Sequence, residues 1–498
     1  MKRAVVLILA GLMSAGLSGC TVGPDYARPP PLTPPTGEFK ETMGFRPAQP
    51  RDTYDRGAWW VIYGDAELDQ LALQVEINNQ TLAAAEAAYR QARALIRQSA
   101  SPLYPTIGYT GSSTQSGTGA NGIQRASTGQ FAAGATLGWE IDLWGRIRRT
   151  IESDSAAAQA SAADLAAARL SAQSALVTNY FSLRISDERR KLLEESVANY
   201  ARSMQIVQNQ VNAGIVSRVD LVQAQTLYEQ TRSQLVAEGI ARAQFEHAMA
   251  ALVGRQPAEV SIAPAPVTDA VPIVDAGVPS ALLERRPDIA AAERQMAAAN
   301  AQIGVATAAF FPDISLGAST SFTNLLLGQL FTLANATWSV GPQLAGTLID
   351  GGARGAQVES ARANYDRTVA LYRQTVLTAF QQVEDQLARQ RILAEQEQVQ
   401  RAAVAAAREG ERLAFNQYRA GTVPYTTVLQ TQTAALSAEQ GLLNVRLDRL
   451  TASAQLVVAL GGGWRSVDLP RGAFVVGSNS QPAGPPQTTP VKRSWWPF

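Results

Sequence analysis

The sequence predicts a mainly α-helical chain with a small β part that crosses a membrane. Three observations carry this: a very long uninterrupted helical run, its recurrence 207 residues later, and two strand hairpins with one apolar face. From Arg146 to Val211, in a run ending N209-Q-V-N-A-G214, no Gly or Pro occurs before Gly214. As a helix this run reaches roughly 100 Å at about 1.5 Å per residue, longer than a globular domain needs. Near its end Leu193, Val197, Tyr200, Met204, Val207 and Val211 follow at steps of four and three, the heptad spacing of a coiled coil. The stretch Asn209–Thr226 overlies Asn416–Thr433 with eight identities in eighteen positions, where roughly one is expected by chance. The second copy follows its own run, Ala356 to Ala420, interrupted only by Gly410.

Composition narrows the function classes. With 43 basic and 42 acidic residues, the chain has no basic stripe to hold a nucleic-acid backbone. One Cys and one His leave no disulfide framework and no expected metal site.

In chain order, Lys2, Arg3, the apolar run Ala4 to Met13 and L17-S-G-C20 read as an export signal, with Cys20 placed as the acylated cysteine of a lipobox. The alternative is an ordinary signal peptide with Cys20 incidental. No later segment is long and apolar enough for a membrane helix, so a membrane span would have to be made of strands. The Pro-rich Thr21 to Arg56 reads as a tether leading away from a lipid anchor, ended by Trp59 and Trp60. A helical unit is expected from Glu67 to about Ala100, closed by Pro102 and Pro105.

Phe131, Ala133, Ala135, Leu137, Trp139, Ile141 and Leu143 then alternate with small or polar residues, the period of a strand with one apolar face. Ile107 and Tyr109 form its partner, and the Gly/Ser-rich Gly111 to Gly129 reads as a long loop. The second copy repeats this with Ile314, Leu316, Ala318 and Phe322, then Trp338, Val340, Leu344 and Leu348, around a loop from Thr323 to Ala336. Both loops are expected to be polar. Four strands of about ten residues suit a barrel wall but cannot close one. Several copies side by side would remove the bare edges. A small soluble sheet packed on the helices is the alternative.

Each long run turns at Gly214 or Gly421 and returns as a second helix, ending at A251-L-V-G254 or V458-A-L-G461. In the second run Val369, Tyr372, Val376, Phe380, Val383 and Leu387 repeat the heptad spacing. The chain thus divides into a signal (1–19), a lipidated Pro-rich tether (20–58), a first repeat (59–254) with its hairpin at about 104–143, a linker (255–280), a second repeat (281–463) with its hairpin at about 312–350, and a tail (464–498) expected to be mobile.

Catalytic patterns are lacking. G117-T-G-A-N-G122 fits a dinucleotide fingerprint but lies in a Ser/Gly stretch and opens no helix. His247 is expected to be a packing or surface residue, and the adjacent Glu384 and Asp385 point to different sides of a helix. The expectation is a non-enzyme without cofactor or metal.

L282-L-E-R-R-P-D-I-A-A-A-E293 has the features of a helix start, with Pro287 in the first turn and Asp288 near the positive end of the dipole. Together with C20-T-V-G-P-D-Y26, Trp59 and Trp60, the two turn glycines, Gly341-Pro342 and I349-D-G-G352, it resembles the outer-membrane factors of tripartite efflux pumps: the TolC-like family, in its OprM/NodT-like lipoprotein branch. The resemblance runs from Cys20 to about Gly463. It implies a homotrimer whose twelve strands close one barrel in the outer membrane, continued by a helical tunnel across the periplasm. It implies a periplasmic adaptor (membrane fusion) protein and an inner-membrane pump, of the RND type, as partners, and passive efflux of small molecules. A type I protein-secretion duct and a pore-less coiled-coil spacer are the alternatives. The adaptor would dock at the tip formed by Gly214, Val216, Gly421 and Val423. A gate beside it would use Asp220 and Tyr418, which match a carboxylate and a tyrosine that hydrogen-bond in the family. Val423 stands where the family has an arginine, and Thr427 and Gln430 where it has acidic residues, so the gate lacks the usual acidic ring. The other reading of Asp220 is a cap for the returning helix.

Overall fold

A computed structural model describes residues 21–29, 39–41, 58–120, 123–268, 271–272, 285–464 and 469–470, with no side chains described at 118–120 and 123–127. Cys20, the signal, and nearly all of the tail lie outside the described residues.

The helices come first because they set the scale. After α1 (Ala66–Asn78) and α2 (Gln80–Ala100), strands β1 (Thr106–Ala120) and β2 (Ile123–Glu140) lead into α3 (Arg146–Asn212) and its return α4 (Arg218–Leu252). The second repeat gives α5 (Pro287–Ala308), β3 (Asp313–Asn324), β4 (Ala336–Ala345), α6 (Ala353–Arg419) and α7 (Tyr425–Ala459). Both rods have 67 residues and both returns 35, so each rod is roughly 100 Å long. Each rod packs antiparallel on its own return, while α5 lies against both rods.

Local chemistry starts and stops these rods. The Asp142 carboxylate accepts from the backbone amides of Ile147 and Arg148 at 3.1 and 3.0 Å, capping the positive end of α3. Asp350 does the same for α6 through Gly352 and Arg354. The Arg354 side chain, followed by these amides, holds the Asp350 carboxyl well down, at about 2. At the far end Gly214 and Gly421 take φ of 70° and 75°. Ile215 N–H donates to Gln210 C=O and Thr422 N–H to Gln417 C=O, the left-handed helix stop that glycine permits.

The buried seam differs from the heptad reading at alternate positions. Leu193, Tyr200 and Val207 are buried, but between them Ser196 and Ser203 are buried while Val197 and Met204 are only half-buried. In α6 the same shift replaces Val369 by Thr368 and Phe380 by Ala379. A small residue thus takes the buried position, and the larger neighbour lies half-buried beside it, widening the apolar stripe.

The principal core sits midway along the rods. Trp59, Trp60, Tyr63 and Leu68 pack with Leu176, Tyr180, Phe181 and Met249. Trp59 Nε1–H donates to Gln173 at 3.0 Å, and the Tyr63 and Ser453 hydroxyls share a hydrogen bond of 2.8 Å. Buried Arg184 is paired through its terminal nitrogens with Glu67, Asp187 and the Ala263 carbonyl, as a charge withdrawn from water must be. The Arg-Arg-Pro-Asp stretch has a comparable job: buried Arg286 binds Asp288 at 2.7 Å, Gln382 at 2.8 Å and the Ala459 carbonyl at 3.0 Å. It thereby fastens the start of α5 to the end of α7. His247 is exposed. Glu384 accepts from the amides of Lys40 and Glu41, whereas Asp385 accepts from Gln381.

The four strands form one antiparallel sheet in the order β1-β2-β3-β4. Two loop expectations are corrected here. The Gly/Ser-rich segment read as a loop is strand almost throughout, because β1 and β2 pair up to Ala120 and Ile123. Backbone pairing needs no side-chain alternation, so composition concealed it. Thr323–Ala336 is not polar: it carries Leu325, Leu326, Leu327, Leu330, Phe331 and Leu333 and no charge, folded into two short 3-10 turns.

Candidate functional site: strand wall, strap and helical tip

Residues paired directly across antiparallel strands share a face, so the register sorts the wall. Ile107, Leu137, Ala318 and Val340 form one row, and Tyr109, Ala135, Thr320 and Trp338 the next. Trp139 and Leu316 continue the face at one end and Ala133 and Phe322 at the other. The opposite face carries Gly108, Thr136, Ser319 and Ser339 in one row, and Thr110, Gly134, Ser321 and Thr337 in the next. One side is apolar and exposed, with Tyr109 92% and Trp338 78% accessible. The other is small and hydroxylated, and the outer edges of β1 and β4 have no partner among the described residues.

Residues 21–29, at the start of the segment read as a tether leading away from a lipid anchor, form a strap along α3 and α5. Val22 N–H donates to the Trp144 carbonyl at 3.1 Å. Buried Arg149 donates to the carbonyls of Val22 and Gly23 and binds Asp25 at 2.8 Å. Asn300 donates to the Pro24 carbonyl, Tyr26 to Glu293 at 2.7 Å, and Arg28 to the Tyr372 hydroxyl. A Cβ on Gly23 would stand 2.4 Å from Gly304 Cα, so the contact needs glycine. Thr21 lies against Gly145, where the sheet passes into α3, so Cys20 precedes a chain fixed at that junction. Trp144 marks it, stacked on Phe311 at 4.6 Å and donating to the Pro312 carbonyl.

At the tip, both turns join one apolar cluster of Val207, Ala224, Tyr418, Tyr425 and Val428, flanked by Val216 and Val423. Val216 and Val423 therefore face inward and are half-buried. The apolar residues exposed there are Ile215, Val219 and Val222, 70%, 62% and 52% accessible. Around Gly214 and Gly421 a Cβ would meet nothing within 4 Å.

The expected bond between Asp220 and Tyr418 is not made in the protomer. The Asp220 carboxylate accepts from Ser217 N–H at 3.3 Å while Ser217 Oγ accepts from Val219 N–H at 2.9 Å, a capping box that opens α4. The Tyr418 hydroxyl donates instead to Gln210 Oε1 at 2.5 Å, joining the end of one rod to the other. Its ring meets Tyr425 edge-on at 5.2 Å. Burial, then the Asp220 charge, raises the Tyr418 pKa. Burial, then Tyr418 and Asp220, pushes Tyr425 up to about 12. Asp220 thus acts on these rings through its field while its hydrogen bond stays on its own helix. Thr427 occupies the same repeat position as Asp220, and Pro424 leaves α7 without a side-chain cap. Gln430 is exposed. Gln210 and Tyr425 were missed in the sequence. The only signal for Gln210 is that Asn209-Gln210 recurs as Asn416-Gln417 beside each turn.

Comparison with known proteins gives a consistent result. The family model described as Outer membrane efflux protein matches residues 71–255 and 278–462. The chain is 34% identical over 463 residues to the probable efflux pump outer membrane protein TtgC of Pseudomonas putida, covering 90% of this chain and 93% of that one. It is 29% identical over 460 residues to the cation efflux system protein CusC of Escherichia coli, covering 92% and 99%. Among solved structures, the outer-membrane channel OprN superposes with a TM-score of 0.81 at 30% identity, covering 89% of this chain and 100% of that one.

Proposed function

This chain belongs to the outer membrane efflux protein family, and from that premise we propose that three copies join their sheets into one barrel and serve as the exit duct of a tripartite efflux assembly. It is an outer-membrane efflux channel reaching into the periplasm. The observation that carries the duct is the strand register. From Phe131 to Trp139 and across β3 and β4 it gathers the large apolar strand residues, with Ile107 and Tyr109 of β1, on one face and leaves mainly hydroxyls and glycines on the other, as a lipid-facing wall around a wet lumen requires. The edges of β1 and β4, unpaired among the described residues, cannot stand bare in lipid. Three sheets of four strands supply the even closure of a twelve-stranded barrel, with β4 of one copy against β1 of the next.

The strap supports an acyl anchor at Cys20. It fixes the chain at the sheet-to-helix junction, where a lipid could enter the nearer leaflet, and this sets the rods on the periplasmic side. The tips would then meet a periplasmic adaptor, with Ile215, Val219 and Val222 as added contacts beside Gly214, Val216, Gly421 and Val423. An inner-membrane pump of the RND type would deliver small molecules, which pass without covalent change. The gate would lie at Asp220, Tyr418, Thr427 and Gln430, latched by Tyr418 on Gln210. Purified protein in a planar bilayer tests the proposal: discrete conductance steps are expected, and their absence would favour a pore-less spacer.

A further inference from the structure

The loop between β3 and β4 is built unlike an aqueous loop. Leu325, Leu326, Leu327, Phe331 and Leu333 are all exposed, Leu333 by 90%, and no residue from Thr323 to Ala336 is charged. The side chains of Asn324, Thr332 and Asn335 serve the loop itself. Asn324 accepts from Leu326 N–H at 2.8 Å, and Asn335 donates to the Gln329 carbonyl at 2.7 Å and to Thr332 Oγ1 at 2.8 Å. Thr332 also donates to the Gln329 carbonyl. Such internal satisfaction is what polar groups need where no water is available. Leu330 is buried beneath the turn.

The side to which the loop leans is set by Phe331, whose ring meets Phe322 edge-on at 5.5 Å. Phe322 belongs to the apolar face, in the row of Gly111, Ala133 and Ala336. The loop is therefore continuous with the outer wall and turned away from the hydroxylated face. Its height also differs from that of the first hairpin. The pairing of β2 with β3 ends at Phe131 and Asn324, whereas β1 and β2 pair on for seven more residues, from Thr114 to Ala120. At about 3.3 Å per residue and a tilt of about 40°, the first hairpin stands roughly 18 Å taller. Ile314 to Asn324 spans roughly 25 Å on the same basis, the height of an apolar barrel band. The second hairpin thus ends at the edge of that band.

We propose that this loop is a lipid-inserted collar: the five apolar side chains lie among the acyl chains of the outer leaflet and anchor each copy's exterior rim. This rests on the barrel reading above. A neighbouring copy is the poorer occupant, because the face of its β1 at that height would offer Ser113, Gln115 and Gly117. Single cysteines at Leu326, Leu333, Val340 and Gln115, each carrying a nitroxide on protein in phospholipid vesicles, test it, with the unsubstituted chain as the blank. Collision with oxygen should exceed collision with a soluble nickel chelate at Leu326 and Leu333, as at Val340, with the reverse at Gln115. An aqueous Val340 would overturn the barrel reading itself. A lipid-exposed Val340 with nickel-accessible Leu326 and Leu333 would overturn the collar alone. Labels there shielded from both reagents would assign the loop to the neighbouring copy and overturn the collar equally. Detergent-stable association of each variant guards against misfolding.

Discussion

Tyr418→Phe removes one hydroxyl and leaves the ring on Tyr425, so it isolates the latch. The bond lost joins two neutral, partly buried groups at 2.5 Å, worth about 1 kcal/mol net, or about fivefold in a two-state equilibrium. If three protomers open together the effect reaches about 3 kcal/mol, roughly 150-fold in the ratio of open to closed channels. Open fraction in planar bilayers at fixed voltage reads this directly. Gln210→Ala should raise it similarly, and the double variant should add little to either, since both remove one bond. Asp220→Ala should behave differently. It removes a helix cap, costing about 1 kcal/mol of helix stability, seen as faster amide exchange at the start of α4 with nearly unchanged conductance. Divalent cations should block weakly, because of the four gate residues only Asp220 is acidic. The reasoning fails if Asp220→Ala opens the channel while Tyr418→Phe and Gln210→Ala do not, or if micromolar divalent cations block strongly.

Other outcomes follow from the same geometry. Cys20→Ala should slow maturation and weaken efflux more than it abolishes membrane residence, since the barrel remains, and mass spectrometry of the mature chain should find acyl groups on Cys20. Gly23→Leu places a side chain against Gly304 and should cost about 1–3 kcal/mol as overpacking, releasing the strap to added protease while the rods keep their helicity. A tryptophan at Gly421 meets open space but sits at a φ of 75°, with strain of about 1–2 kcal/mol. Association should survive and efflux in cells should be lost, and unchanged efflux would remove the docking assignment. For pH, Tyr418 and Tyr425 have raised folded-state values. Their contribution is therefore complete below the unfolded value of about 10 and is lost as pH rises through the folded one. The stability these two groups supply should be flat from about pH 5 to 9 and fall in alkali, as read by unfolding at each pH.

Much of this molecule is local in origin and therefore legible in one dimension. The absence of Gly and Pro from Arg146 to Ala213 dictates a rod, Gly214 and Gly421 dictate its turn, and the shift of 207 dictates two of them. Period-two alternation through Phe131, Leu137 and Trp139 marks a wall, because side-chain direction along a strand is set by the backbone alone. What the chain order could not reveal depends on partners far away in sequence. Ser196 and Ala379 take the buried positions because packing selects volume, whereas hydrophobicity had pointed to Val197 and Phe380. The Gly/Ser-rich stretch is strand because the neighbouring backbone pairs with it, whatever its side chains. Tyr418 finds Gln210, while Asp220 stays with Ser217: a capping bond three residues away forms with little chain entropy to lose, and a bond across 208 residues forms only where folding has already brought the rods together. The strap follows the same rule, since Arg149, Gly304 and Tyr372 make a groove for Val22 to Arg28 only after three helices have packed.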